Sequence, residues 1–212
     1  MEEKNLRRYI NIFVLFVLIN LLFFSQAESQ WSRFRQPHAV IGGSVGFYRV
    51  SFDNFTDIYD SRWDHYYSSH ASIRVYHSNY ATLQYSRFQK TKNVDTPELS
   101  GEAAWDQRFI NIGVRWYSDA QRKWRFYSGF GFSFVSVTEK AGFSVLEPAS
   151  TKDVSSDGSG FYLEIGADYI IIPHVGLNIE VEISSAGEGG TPGFMGSSLG
   201  GYAFLAGLSF HF

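Results

Sequence analysis

The feature that most constrains this chain is an alternation of apolar and polar residues with a period of two, which recurs eight times between Ala39 and Phe212. Its clearest instance is the last: Tyr202, Phe204, Ala206, Leu208, Phe210 and Phe212 share one parity, and Ala203, Leu205, Gly207, Ser209 and His211 the other. Successive side chains of a strand point to opposite faces, so such a stretch reads as a strand with one bulky apolar side. In Ser159–Ile172, Phe161, Leu163, Ile165, Ala167 and Tyr169 oppose Tyr162, Glu164, Gly166 and Asp168. In His174–Ser184, Val175, Leu177, Ile179, Val181 and Ile183 oppose Gly176, Asn178, Glu180 and Glu182, and these two stretches read as a hairpin. Arg108–Tyr117 sets Ile110, Ile112, Val114 and Trp116 against Asn111, Gly113 and Arg115. Lys123–Phe134 sets Trp124, Phe126, Phe130, Phe132 and Phe134 against Arg125, Gly129, Gly131 and Ser133. The pattern is weaker in Ser69–His77 and Tyr80–Gln89. It is weakest in Ala39–Phe52, where Gly42, Gly43 and Gly46 blur the parity and Arg49 interrupts it.

The connections alternate in length. Asp53–Ser68, Thr91–Trp105, Glu139–Gly158 and Ser185–Leu199 are long, whereas His77–Asn79, Ser118–Arg122 and Pro173 are short. Long loops at one end, tight turns at the other and an even strand number predict an all-β fold, an eight-stranded antiparallel up-and-down transmembrane β-barrel. Closure leaves no unpaired edge, which hydrocarbon could not solvate. The soluble alternative is a lipocalin-like barrel, which needs an apolar cavity and a polar exterior. It fits poorly, because one face carries Phe, Ile, Val and Trp while the other carries Arg, Glu, Asp and Asn. Aromatic residues make up 18% of the chain and there are 20 glycines, yet mean hydropathy is only −0.15. Faces that alternate between lipid and water produce that combination.

Ahead of the first strand, Lys4, Arg7 and Arg8 precede an apolar run from Ile10 to Phe24, broken only by Asn11 and Asn20, and then Ser25-Gln26-Ala27. This predicts a cleaved signal peptide over 1–27 and a barrel domain over 28–212. The chain has no Cys, so there is no thiol for lipid attachment, a disulfide or a thiolate metal site. A formal charge of −3 with no basic face argues against nucleic-acid binding.

With Gly207, Phe210 and the terminal Phe212 at the spacing of its assembly signal, the chain resembles the small eight-stranded outer-membrane barrels of the OmpA transmembrane-domain and OmpX type, porin-like domains without a long motif. Leu205 departs from the signal, which usually has a polar residue there. The resemblance implies a Gram-negative outer membrane, short turns and termini in the periplasm, and four extracellular loops. It also implies insertion by the barrel assembly machinery with periplasmic chaperones, into lipid and lipopolysaccharide. The function it implies is structural or surface interaction, with a narrow channel for ions or small solutes second and a lipid A modifying enzyme third. Trp116 and Trp124 flank one short turn on the apolar parity, where an interfacial aromatic girdle would place them.

Parity assigns Arg74, Arg115, Arg125, Glu164, Asp168, Glu180 and Glu182 to the lumen. Eight strands leave room only for side chains, so these are expected to form Arg–carboxylate bridges that plug the barrel, with a gated ion path as the functional alternative. No catalytic residues, metal or cofactor are expected. His70-Ala71-Ser72 and His77-Ser78-Asn79 hold the residue types of the lipid A deacylase motif but not its spacing, and His65 with Asp60 and Asp64 reads as loop solvation. The loop rings Phe55, Tyr59, Trp63, Tyr66 and Tyr67 are assigned to the outer girdle and lipopolysaccharide interface, ahead of a ligand surface. The loops Glu139–Gly158 and Gly187–Gly201 are expected to be mobile.

Overall fold

The computed structural model describes residues 36–52, 54–96, 99–118, 123–140, 146, 153–188 and 198–212. The predicted signal peptide lies outside them. Eight strands, β1 (Ala39–Val50), β2 (Trp63–Tyr76), β3 (Asn79–Thr96), β4 (Leu99–Tyr117), β5 (Trp124–Glu139), β6 (Val154–Ile172), β7 (Val175–Glu188) and β8 (Gly201–His211), form the wall, and a single helical turn, α1 (Phe55–Ile58), follows β1. Each strand pairs antiparallel with the next, and β1 pairs with β8, closing the barrel. The seam is fastened at its end by Phe212, whose N–H donates to the Ala39 carbonyl at 2.9 Å while its own carbonyl accepts from Ala39 at 3.2 Å.

The alternation sets which way each row faces. Ile110, Ile112 and Val114 of β4, Phe130, Phe132 and Phe134 of β5, and Phe204, Leu208 and Phe210 of β8 are exposed on the outside. Asn111, Arg115, Arg125 and Ser133 of β4 and β5 are buried inside. An oily exterior around a polar interior is the reverse of a soluble ligand-carrying barrel, and it suits hydrocarbon.

The largest departure from expectation is at Thr91–Trp105. Instead of a long loop, β3 and β4 continue pairing from Thr91↔Ala104 to Thr96↔Leu99. At about 3.3 Å per residue, the 19 residues of β4 reach roughly twice as far as the 9 to 11 that cross a bilayer. Outside the membrane neither face needs to be apolar, so Lys90, Thr91, Lys92 and Asn93 carry no period-two signal. For the same reason β2 begins at Trp63 and β6 at Val154, inside stretches expected to be loops, and β7 runs on to Glu188. The expected mobility of the last two loops falls largely on residues outside those described.

Register shifts fall at the turn end, between Arg74 and Tyr76 and between Ile170 and Ile172. An extra residue in a bulge redirects the side chains that follow, and Tyr76, which shares parity with the inward His70 and Ser72, points outward. His77 takes a positive φ of 46° in the adjoining turn. In the wall, Gly113 pairs with Gly131, and a Cβ on Gly113 would lie 2.6 Å from the Tyr162 hydroxyl. The pair gives that large ring space to cross the lumen.

Candidate functional site

The lumen has two layers of different chemistry. Toward the turn end it is ionic, built around Arg115, whose side chain is fully buried. Its Nε donates to Glu164 Oε1 at 2.6 Å and its Nη2 to Glu164 Oε2 at 2.7 Å, a bidentate pair. Nη2 also reaches Glu180 Oε2 at 3.2 Å, and Nη1 donates to the Tyr117 hydroxyl at 3.3 Å. The guanidinium lies 4.3 Å from the centre of the Tyr127 ring, and the hydroxyl of that ring donates to Glu180 at 2.6 Å. A Cβ at Gly129 would collide with Glu164, so the absence of a side chain there makes room for the carboxylate.

A second branch runs from Tyr127 through Asn178 Nδ2, at 2.7 Å from the hydroxyl and 3.1 Å from Asp168 Oδ1. Asp168 Oδ1 also accepts from Ser209 at 3.0 Å. Arg125 Nη1 donates to His211 Nδ1 at 2.6 Å. Because guanidinium can only donate, Nδ1 must be the acceptor and the ring proton sits on Nε2. Nε2 faces Ser209 Oγ at 2.8 Å and Asp168 Oδ2 at 3.6 Å. Arg125 therefore reaches Asp168 through an imidazole. The expected direct Arg–carboxylate bridge forms at Arg115.

Arg74 is not part of this lattice. It is half-buried at the turn end, where it donates to the Gln36 carbonyl at 2.9 Å and lies 2.7 Å from His38 Nδ1. It stands at the last in-register position of β2 before the turn, opposite Tyr80, and the segment ahead of β1 engages its guanidinium there. Glu182 sits apart from the arginines. It accepts from Gln84 Nε2 at 2.7 Å, Asn111 Nδ2 at 3.3 Å and the Tyr66 hydroxyl at 3.4 Å.

Toward the loop end the interior is aromatic. Tyr48, Tyr66, Phe88, Trp105 and Phe109 are buried and join Phe55 and Tyr59 in one apolar cluster with Val137, Leu199 and Ala203. Tyr48 stacks on Tyr66 at 4.9 Å, Phe55 stacks on Tyr59 at 4.6 Å, and Trp105 meets Phe55 edge-on at 5.0 Å. Phe55 and Tyr59 come from α1, so the first loop folds into the barrel mouth and stops it. Burial, and then the charge of Glu139, pushes the Tyr59 phenol well above its usual ionisation range. The loop rings thus divide: Phe55, Tyr59 and Tyr66 turn inward, against expectation, while Trp63 and Tyr67 stay outside. Rings on a flexible connection bury more area in the open mouth than at the rim. Trp105 of β4 lay in an assumed loop, and Phe109, inside the predicted strand Arg108–Tyr117, shares the inward parity of Asn111 and Arg115 but was not singled out among those polar residues.

Outside, Trp124 and the partly exposed Trp116 stand at the turn end. Trp116 stacks on Phe130 at 5.3 Å, and Trp124 packs against Tyr169 at 5.0 Å. At the loop end Trp63 stacks on Phe204 at 6.0 Å. Ser72 Oγ pairs with Thr82 at 2.8 Å rather than with His70. Asp64 and Asp60 pair with Lys90 and Lys92 at 3.1 and 2.7 Å, while His65 lies against Phe47. Among the described residues no group of His, Cys, Asp and Glu is placed to hold a metal.

Solved structures with the same barrel include the neisserial surface protein A, at 15% identity and TM-score 0.59, covering 82% of this chain and 97% of that one. The outer membrane protein OprG from Pseudomonas aeruginosa matches at 14% identity and TM-score 0.56, covering 84% and 97%. The attachment invasion locus protein of Yersinia pestis, solved with the heparin analogue sucrose octasulfate, matches at 10% identity and TM-score 0.53, covering 82% and 99%. No curated protein matches the sequence. Residues 15–212 match the model of the outer membrane protein beta-barrel domain, and with a closed eight-stranded wall, an apolar exterior and a polar interior the chain belongs to that family.

Proposed function

We propose that this protein is a structural and surface-interaction barrel of a Gram-negative outer membrane, exported by a cleaved signal peptide, with its short turns in the periplasm and its lumen sealed. The observation that carries the reading is the double closure of the interior. A pore needs a continuous wet path, and here the Arg115 lattice fills one level while the Phe55–Tyr59–Trp105 stack fills another. A barrel that does not conduct is left with its exterior and its loop end as working surfaces. The upper halves of β3 and β4 supply the larger of these, a hairpin standing beyond the bilayer, its base closed on the inside by Ala103 and Trp105 and its outer face polar. Lys90, bonded to Asp64 of β2, and Lys92, bonded to Asp60 of the first loop, brace it.

The test is electrical. Protein refolded from the full chain and inserted into planar bilayers should give no steady conductance. A stable open level in the absence of denaturant would overturn the sealed reading and favour the narrow channel instead.

A further inference from the structure

Between the two layers lies a level of the barrel that the lattice leaves incompletely satisfied. Gln84 of β3 pairs in register with Asn111 of β4, and Asn111 with Ser133 of β5. All three side chains are buried, the least so at 1% exposure. Each has an oxygen without a hydrogen-bond partner: Gln84 Oε1, Asn111 Oδ1 and Ser133 Oγ. The hydroxyl of Tyr162, fully buried and lying over Gly113 beside Asn111, is a fourth. Buried polar atoms are almost always paired, and a run of unpaired ones on neighbouring strands marks a place where something else binds.

All four atoms are oxygens, whereas the unpartnered polar atom of His70, which pairs in register with Gln84, is the ring nitrogen Nε2; the carboxylate of Glu182 lies beside Gln84 and Asn111. Glu182, 1% exposed, receives hydrogen bonds from the amides of both Gln84 and Asn111 and from Tyr66. Those two amide NH2 groups are committed to the carboxylate, so the carbonyl ends are turned away from it, one amide's width from its charge. None of the donors to Glu182 is cationic, and Arg115 is engaged by Glu164 and Glu180. A buried carboxylate held only by neutral donors is costly unless a positive charge joins it. Carbonyl and hydroxyl oxygens with a single carboxylate are ligands for a hard cation of low charge.

We propose that the mid-lumen level formed by Gln84, Asn111, Ser133 and Tyr162 is a binding site for an alkali cation, Na+ or K+, with Glu182 as its counter-charge. The ion is a resident of the sealed barrel that fastens four strands together, not a permeant one. The proposal rests on the sealed reading above, but the two fail separately: conductance tests the seal, and stability without conductance tests the site.

The experiment measures thermal unfolding of the refolded full-length barrel in a neutral detergent at fixed pH and ionic strength, in NaCl, KCl or choline chloride. The wild-type barrel is expected to unfold at a higher temperature in at least one alkali salt than in choline, with a saturating dependence on its concentration. Glu182→Gln should abolish the difference. Asn111→Leu, which keeps the carboxylate, should weaken the apparent affinity at least ten-fold and serves if the first variant does not fold. Equal stability in all three salts, or an undiminished alkali effect in either variant, overturns the proposal. So does stability that follows pH but not the cation, since a proton on Glu182 would then be the neutralising charge.

Discussion

The two ends of the lumen fill the same cylinder by opposite means. Near the turns, Arg115 is held at 2.6 to 3.2 Å by two carboxylates from β6 and β7, so its geometry is specified by direction as well as by volume. Near the loops, Tyr48, Phe55, Tyr59 and Trp105 are held by area and ring contact, and part of the cluster comes from a connection instead of the wall. Ionic packing ties strands distant in sequence to one another. Aromatic packing closes a mouth whose lid was free to leave. The lattice is therefore expected to be a property of the folded barrel as a whole, and the plug a separately openable unit.

Arg115→Leu should break the comparison most severely. It leaves Glu164 and Glu180 buried without their cation, and breaking a buried pair in this way costs about 3–5 kcal/mol. The urea midpoint of the barrel in lipid vesicles, read from the mobility difference between unboiled and boiled samples, should fall accordingly. Replacing Arg115, Glu164 and Glu180 together by apolar residues should recover most of the loss. A single variant as stable as wild type would show that the lattice is not what ties the strands.

Phe55→Ala probes the other end and should act locally. The undocking of α1 becomes easier by about 1.5–3 kcal/mol, the worth of burying one such side chain. Protease cleavage within 51–62 should accelerate while the urea midpoint of the wall stays in place. Planar bilayers should remain silent, because the Arg115 level still fills the bore. Steady current in this variant would identify the aromatic stack as the main barrier.

How much of this could be read from sequence depended on which solvent each residue meets. Where one face meets hydrocarbon and the other the lumen, as in Ile110 to Trp116 and Val175 to Ile183, period two survives and the rows were assignable residue by residue. Where the outer face meets water, as in Gln89 to Asn93 against Glu102 to Arg108, the outside carries no apolar row, so continuous strand looked like loop even though Ala103, Trp105 and Gln107 are buried on its inner face. Parity also placed Arg115, Glu164, Glu180 and Glu182 inside, but it could not show which of them touch. The neutral members, Tyr127, Asn178 and Ser209, carry no charge to draw attention. Arg74 shows that parity gives a side chain's face but not its depth or its partner, and Phe55 and Tyr59 show that an aromatic residue in a loop does not reveal which surface it will cover.

A finer test concerns what holds the lid. Lys92 bridges Asp60 at 2.7 Å, but the Asp60 side chain is 82% exposed, and exposed pairs contribute little. Lys92→Ala should raise cleavage within 51–62 by no more than about five-fold, the size set by an interaction of under 1 kcal/mol. Half-molar salt should bring wild type and variant together, because the pair is screened. A larger or salt-independent effect would mean that the plug is held from the hairpin as well as by its rings.

The smallest effect on stability, and the sharpest separation from both layers, is expected at Phe212. Its backbone closes the seam with Ala39, whereas the residue as a whole is 62% exposed on the outside, at the turn end and away from the plug. Replacing the ring keeps the N–H and carbonyl that do the closing. Phe212→Ser should therefore leave the urea midpoint of refolded protein nearly unchanged. If the ring, with Phe210 and Gly207, is read by the barrel assembly machinery, the same variant should accumulate less folded barrel in the outer membrane of growing cells, as measured by the unboiled band in membrane fractions. Loss in cells with full stability in vitro assigns Phe212 to recognition during insertion. Equal loss in both would return it to the structural account, and no loss in either would remove the ring from both.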